Sequence, residues 1–169
     1  ALVSNIGTWV HTAALLWSVK TLTDSNSWVG AVNLASYLPV LLFALLAGSL
    51  ADYMDRKHVV IWSQLVMMLS AFSLGVLISL ERATLPWIMT ITAVMGTAFA
   101  FNFPAWQALL PDLVPRDDLL NAIALSAAQF NMARFLGPPL GGVIVVWSVA
   151  AAFYFNSVSF LFVIGALLL

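Results

Sequence analysis

The sequence predicts an all-α membrane protein of six transmembrane helices. Its 169 residues are 63% hydrophobic and 8% charged, whereas about a quarter of the residues in a soluble domain are charged. The charges separate apolar segments of roughly the 20 residues that a helix needs to cross a bilayer. These segments lack the alternation expected of membrane barrel strands. Because a helix satisfies its own backbone groups inside lipid, helices are expected throughout.

Charged or polar residues mark the limits of the predicted spans. Lys20 ends the first span, and the loop Asp52–His58 separates the second from the third. The turn Glu81–Thr84 precedes the fourth span, and a proline-bounded loop at residues 111–118 precedes the fifth. Only Ser148 interrupts the apolar run between the fifth and the sixth. We therefore predict a single bundle whose spans cover residues 1–19, 28–51, 59–80, 85–110, 119–148 and 149–169.

Composition excludes several classes of function. A net charge of −1 argues against nucleic-acid binding, which needs a basic surface. The chain has no cysteine, which rules out disulfides, thiolate metal sites and a cysteine nucleophile. No acidic residue lies within the body of a span, the two histidines lack metal-ligand spacing, and no phosphate-binding loop occurs. We therefore predict no enzyme activity, no metal and no cofactor.

The basic residues indicate which loops face the cytoplasm. If the second loop is inside, the inner loops hold Arg56, Lys57 and Arg116, and the outer loops hold Lys20 and Arg82. This small excess agrees with the positive-inside rule. The sequence begins at alanine and ends within a run of leucines. We therefore expect part of a longer, multi-pass protein of the plasma membrane, which is the inner membrane in bacteria.

Arg134 is the strongest candidate for a functional residue. An arginine keeps its charge in a protein, and an intramembrane charge usually faces the bundle interior or a water-filled cavity. Asn131 and Pro138 lie on the same face of the fifth span as Arg134. The alternative is a structural arginine that donates hydrogen bonds to backbone carbonyls and amides of adjacent helices.

The fifth span also carries a row of small residues. Ala133, Gly137 and Gly141 recur every four residues, the spacing that lets two helices touch closely. Gly142 follows directly, and Pro138 removes a backbone donor, which favours a bend. Such a row is more often a packing surface than a chemical site, although packing that slides can open and close a pathway.

Polar residues in three other spans are candidates for substrate contact. His11 lies on a polar face of the first span, where it can carry a proton or hydrogen-bond to a neighbouring helix. Amides within the second and fourth spans can grip a substrate or tie helices together. The candidate substrate-lining residues are His11, Asn33, Tyr37, Asn102, Trp106, Asn131 and Arg134.

Two segments resemble signatures of the major facilitator superfamily. Gly48-Ser-Leu-Ala-Asp-Tyr-Met-Asp-Arg-Lys57 resembles its loop signature between helices two and three, and Ala133-Arg-Phe-Leu-Gly-Pro-Pro-Leu-Gly-Gly142 resembles its helix-five antiporter motif. Asn5-Ile-Gly-Thr-Trp9 and Leu110-Pro-Asp-Leu-Val-Pro-Arg116 are similar to the branch that exports enterobactin and macrolides. The resemblance covers the whole chain and implies the N-terminal half of a twelve-helix protein, built as a 3+3 inverted repeat.

The resemblance also implies a conformational gate at the loop signature. Gly48 would allow tight helix packing at the inner surface, and Lys57 closes the signature. Asp52 would bond a helix end in the missing half and pair with Arg56, which would hold the outward-open state. The chain departs from the superfamily pattern at three positions: Tyr53 replaces an arginine, Asp55 replaces a glycine and Ala133 replaces a glycine.

Together these features predict a secondary exporter of small amphipathic organic molecules, drug-like or siderophore-like. It would work by alternating access, with proton-coupled antiport as the expected mode. Its partners would be the substrate, the lipid bilayer and the missing C-terminal half. The helix-four arginine common among drug–proton antiporters is missing, and the intramembrane charge is Arg134 instead. The alternative is a membrane scaffold or sensor that keeps the transporter architecture and moves nothing.

Overall fold

Helices make up almost all of the described chain. The computed structural model describes residues 2–169, and within this range it describes every side chain except those of residues 44–45 and 49–53. The six α-helices are α1 (Leu2–Thr23), α2 (Asn26–Tyr53), α3 (Arg56–Ser79), α4 (Leu85–Leu109), α5 (Leu119–Trp147) and α6 (Val149–Leu168). Two short 3-10 turns, Leu110–Asp112 and Arg116–Asp118, connect α4 to α5. The all-helical part of the predicted fold class is therefore confirmed.

Within the part of the chain that the structure describes, three segments are long and apolar enough to cross a membrane: Arg56–Ser79, Leu85–Asp112 and Val149–Leu168. α1 and α5 have comparable lengths, and each carries polar residues, such as His11 and Arg134, within a largely apolar sequence.

Ser148 forms the boundary between α5 and α6. Its backbone is extended, and its hydroxyl accepts a hydrogen bond from the backbone N–H of Ala151 at 3.2 Å. A serine in this position caps the first turn of a helix, so a single residue separates the two helices. Asp55 caps α3 in the same way, since its Oδ1 accepts from the backbone N–H groups of Lys57 at 2.9 Å and His58 at 3.3 Å.

α1 continues past the end of the first predicted span at residue 19. The hydroxyls of Thr21 and Thr23 donate to the carbonyls of Trp17 (3.1 Å) and Val19 (2.8 Å), one turn earlier. These bonds satisfy the polar side chains locally, so the helix extends into the polar region. Asp24 then adopts a left-handed conformation with φ of 48°, a common way to end a helix.

The helices pack around three clusters of buried apolar residues. In the first cluster, Val10 of α1 packs with Leu74, Ile88 and Phe153 of α3, α4 and α6. In the second, the start of α3 at Val60 meets the last turns of α4 and α6. The third joins the middle of α3, α4 and α6. The second cluster lies at the end of the bundle that carries the α2–α3 connection, which we call the inner end. α5 packs mainly on α1, and α2 packs mainly on α4.

Candidate functional site

A cavity of about 340 Å³ lies at the inner end of the bundle. The last turns of α4 and the first half of α5 form two of its sides, and the start of α1, the third turn of α3 and the end of α6 complete it. Among the described residues that line it, none carries a charge. Its polar lining is largely amide, and it includes Asn5, Gln64, Asn102 and Asn131.

Three of the candidate substrate-lining residues line this cavity: Asn102, Trp106 and Asn131. Asn102 is buried, and its Nδ2 donates to Ser63 Oγ at 2.7 Å, which joins α4 to α3. Asn131 Nδ2 donates to the carbonyl of Ala127 at 2.9 Å, one turn earlier in α5. Asn102 therefore ties two helices together and also faces the cavity, and its contact with a substrate stays a prediction.

Arg134 lies beside the cavity, near the middle of α5, with its side chain exposed. Its guanidinium carbon sits 5.8 Å from the centre of the Trp9 ring on α1. Trp9 in turn meets Phe130 edge to face, with 6.4 Å between ring centres. Because Phe130 lines the cavity, two aromatic rings connect the charge of Arg134 to the cavity wall.

The small residues of α5 form the contact with α1. Ala133, Gly137 and Gly141 are all buried. A Cβ atom built on Gly137 would overlap Trp9 Cβ, and one built on Gly141 would lie 2.9 Å from Ala13 Cβ. The spacing of these residues thus corresponds to a close helix–helix contact. Two other members of the motif lie outside it: Pro138 is exposed, and a Cβ on Gly142 would meet nothing within 4 Å.

The remaining candidate substrate-lining residues are elsewhere in the bundle. His11 is buried, with its ring centre 4.9 Å from that of Phe153 on α6 and the two rings almost perpendicular. Asn33 and Tyr37 lie four residues apart on an exposed face of α2. None of these three lines the cavity described above. The sequence pattern places each on a helix face but does not say which faces converge.

Arg56, at the start of α3, links the α2–α3 connection to the α4–α5 connection at the inner end of the bundle. Its Nη1 donates to the carbonyl of Ala108 at 3.0 Å and to Asp112 Oδ2 at 3.1 Å. The described partners of Arg56 are therefore the last turn of α4 and the 3-10 turn that follows it. The Asp52 carboxylate, with which Arg56 was expected to pair, lies outside the described side chains.

Of the other gate residues, Gly48 is half-buried, and a Cβ on it would meet no described atom within 4 Å. Lys57 is exposed and donates its backbone N–H to Asp55. A side-chain hydrogen bond with His58, the largest of several contributions, lowers the pKa of the Asp55 carboxyl. This aspartate therefore stays ionised while it caps α3.

Gln64 lines the cavity but did not stand out from the sequence. It is buried, and its Oε1 has no hydrogen-bond partner in the described part of the chain. A glutamine within an apolar span was the available signal, but one amide in a long helix does not show which way it points. Its position beside the cavity follows only from the packing of α3, α4 and α6 against one another.

The apolar helices, the close α1–α5 contact and the polar cavity together define an integral, multi-pass helical membrane protein. A family profile described as transmembrane secretion effector matches residues 1–169. The chain belongs to this family, which is part of the major facilitator superfamily.

Its similar proteins are bacterial transporters. The chain is 27% identical over 141 residues to the staphyloferrin A transporter of Staphylococcus aureus, covering 83% of this chain and 36% of that protein. It is 26% identical over 166 residues to the multidrug efflux pump Tap of Mycolicibacterium fortuitum, covering 90% and 41%. Macrolide efflux protein A of Streptococcus pyogenes is 23% identical over 150 residues, covering 88% and 37%. The chain thus spans about two fifths of the length of these relatives or less.

Proposed function

We propose that this chain is the N-terminal half of a secondary exporter of small amphipathic organic molecules, drug-like or siderophore-like. The family match over residues 1–169 and the names of the relatives support an export role. The share of each relative that the chain covers supports a second bundle in the intact protein. Two such bundles rocking about a site between them would give alternating access, with proton-coupled antiport.

The packing supports six spans arranged as a 3+3 inverted repeat. In such a repeat, α1, α2 and α3 correspond to α4, α5 and α6, in that order. The α1–α5 contact then corresponds to the α4–α2 contact, and the α1–α6 contact corresponds to the α4–α3 contact. All four pairs are closely packed, and the α3–α6 pair corresponds to itself. Both the α1–α5 and the α2–α4 contacts contain a glycine without room for a Cβ, Gly137 against Trp9 and Gly96 against the Ser36 carbonyl.

The observation that carries the proposal is the amide-lined cavity beside an exposed charge. Asn102 and Asn131 supply hydrogen-bonding groups inside the cavity, and Trp106 supplies an aromatic surface. Arg134 is exposed in this half although it lies near the middle of a membrane helix. An arginine facing lipid there is costly, so the second half of the transporter, or a water-filled space between the halves, should cover it. Asn33, Tyr37 and His11 do not line this cavity, so they would belong to the substrate path only in the intact protein.

The gate proposal places the loop signature against the second half. A Cβ on Gly48 would meet no described atom within 4 Å, which leaves room for a helix to approach closely. Asp52 would bond that helix, and Arg56 and Lys57 would hold the inner end of the first half. We expect Asp52→Asn in the intact protein to slow turnover with little effect on substrate binding. Loss of binding with normal turnover would contradict the gate role.

Efflux from cells that make the intact protein tests the function. A panel of labelled amphipathic compounds, including a siderophore and a macrolide, would be loaded into cells with and without a protonophore. We expect faster loss of at least one compound than from cells without the protein, and we expect the protonophore to remove the difference. No export of any compound, from cells in which the protein is folded in the membrane, would favour the scaffold or sensor.

A further inference from the structure

Gln64 carries an unpaired hydrogen-bonding group beside the cavity. The residue lies in the third turn of α3, lines the cavity and is 6% exposed. Its Oε1 is buried and has no hydrogen-bond partner among the described residues. A buried carbonyl oxygen that has lost water and gained no donor is unfavourable, and native structures leave few of them. A donor from outside the described helices would satisfy it.

Three polar side chains near Gln64, those of Ser63, Asn102 and Asn131, already have hydrogen-bond partners. Ser63 Oγ donates to the carbonyl of Val60 at 2.9 Å and accepts from Asn102 Nδ2 at 2.7 Å. Across the cavity, Asn131 Nδ2 donates to Ala127. These groups have partners without Gln64, so its unpaired oxygen is not explained by the packing of α3 on α4.

The rest of the cavity wall restricts what can supply the donor. The described lining carries no charge, and it includes the rings of Phe99, Phe103, Trp106 and Phe130. A charged group would enter such a space without a counter-ion, which is strongly unfavourable. A cavity of about 340 Å³ falls within the size range of small-molecule sites. Aromatic rings and amides together suit a molecule with an apolar face and hydroxyl groups.

We infer that the cavity binds an uncharged, hydroxyl-bearing part of the transported molecule, and that Gln64 accepts a hydrogen bond from one of its hydroxyls. This inference rests on the proposed export function. A hydroxyl both donates and accepts, so it can satisfy Gln64 and also bond a neighbouring amide. Rotation about the last torsion of the glutamine side chain, which is soft, would bring the buried oxygen to the cavity.

Binding of two matched probes to the intact protein in lipid nanodiscs tests this inference. The probes are umbelliferyl glucoside, which is uncharged and carries hydroxyl donors, and its fully O-methylated form, which carries none. We expect the unmodified protein to bind the hydroxylated probe roughly tenfold more tightly. Gln64→Leu should bring the two affinities close together by weakening the hydroxylated probe. Gln129→Leu, the same change outside the cavity lining, should keep the preference.

Thermal unfolding of the ligand-free protein separates binding from structure. Because Gln64→Leu removes an unpartnered buried oxygen, it should leave the midpoint unchanged or raise it, whereas a structural glutamine would lower it. Gln64→Met, which keeps the length of the side chain, provides a second variant if Gln64→Leu does not fold.

The inference is overturned if both Gln64 variants keep the preference of the unmodified protein, or if the unmodified protein binds the two probes equally or binds neither. Equal binding would mean that ordered water satisfies Gln64. None of these outcomes changes the result expected in the efflux experiment, because that experiment does not depend on Gln64. Failure of the export function would instead appear as absence of efflux for every compound in the panel.

Discussion

The guanidinium of Arg134 lies over the ring of Trp9, 5.8 Å from its centre, and the same tryptophan packs against Gly137 one turn further along α5. One side chain of α1 therefore contacts both the charge of α5 and its small-residue row. A shift of α5 along α1 would move Arg134 relative to the cavity. A cation over an indole ring contributes about 0.5–2 kcal/mol, depending on its exposure to water.

Replacing Arg134 tests whether its charge serves the transported molecule. We expect Arg134→Ala in the intact protein to abolish export while the protein still folds and inserts. Arg134→Lys keeps the charge but not the planar group that stacks on Trp9, so export should fall by roughly fivefold to tenfold. The measurements are efflux rate and the amount of folded protein in the membrane. Export by Arg134→Ala at the normal rate would remove this residue from the site.

Adding one methyl group at Gly137 tests the α1–α5 contact. Because the new carbon would overlap Trp9 Cβ, Gly137→Ala should destabilise the protein by about 1–3 kcal/mol, the usual cost of overpacking. Gly142→Ala is the matched control, since its new carbon meets nothing within 4 Å. It should leave stability unchanged or raise it by up to about 1 kcal/mol, because alanine favours a helix. Thermal unfolding in detergent compares the two, and equal stabilities would contradict the close contact.

A double-mutant cycle measures the bond between Ser63 and Asn102. The two side chains join α3 to α4 at 2.7 Å in a buried position. Interhelical hydrogen bonds in membrane proteins average about 0.6 kcal/mol and reach about 1.7 kcal/mol, so we expect a coupling in this range between Ser63→Ala and Asn102→Ala. Chemical denaturation of the four proteins gives the value. A coupling near zero would show that the bond to Ser63 does not stabilise the protein and that Asn102 contributes only to the cavity lining.

Arg56 should matter more than its acidic partner. Asp112 is well exposed, and a surface ion pair contributes about 0–1 kcal/mol, so Asp112→Asn should have little effect on stability. Arg56→Ala also removes the donor to the Ala108 carbonyl near the end of α4, so it should loosen the inner end further. Amide hydrogen exchange over residues 108–112 reports this loosening. Equal exchange in the two variants would show that the carbonyl contact contributes nothing.

Features that depend on local sequence were the most predictable from it. The charged and polar residues between apolar runs lie near the helix ends, although α1 continues past Lys20 to Thr23. The spacing of Ala133, Gly137 and Gly141 indicated a contact surface, and all three residues are buried. Ser148 alone indicated a boundary because a serine can cap the next helix without a loop. These signals work because each acts within a few residues of its position.

Features that depend on distant segments could not be predicted. Arg56 bonds a turn 56 residues away, and nothing in its neighbourhood identifies Asp112 as the partner. His11 and Asn102 are both polar residues in apolar helices, yet one packs against Phe153 and the other lines the cavity. The direction of a polar side chain follows from how the helices rotate against each other, which the packing of all six decides.

Reconstitution of the intact protein into lipid vesicles tests the export function most directly. The vesicles would have an acidic interior and protein oriented with its inner end outside, and the compound with the fastest cellular efflux would be added outside. An exporter coupled to protons should accumulate the compound above its level in protein-free vesicles, and a protonophore should release it. Arg134→Ala vesicles should match the protein-free ones. Equal accumulation with and without the unmodified protein would contradict export and indicate a bundle that moves nothing.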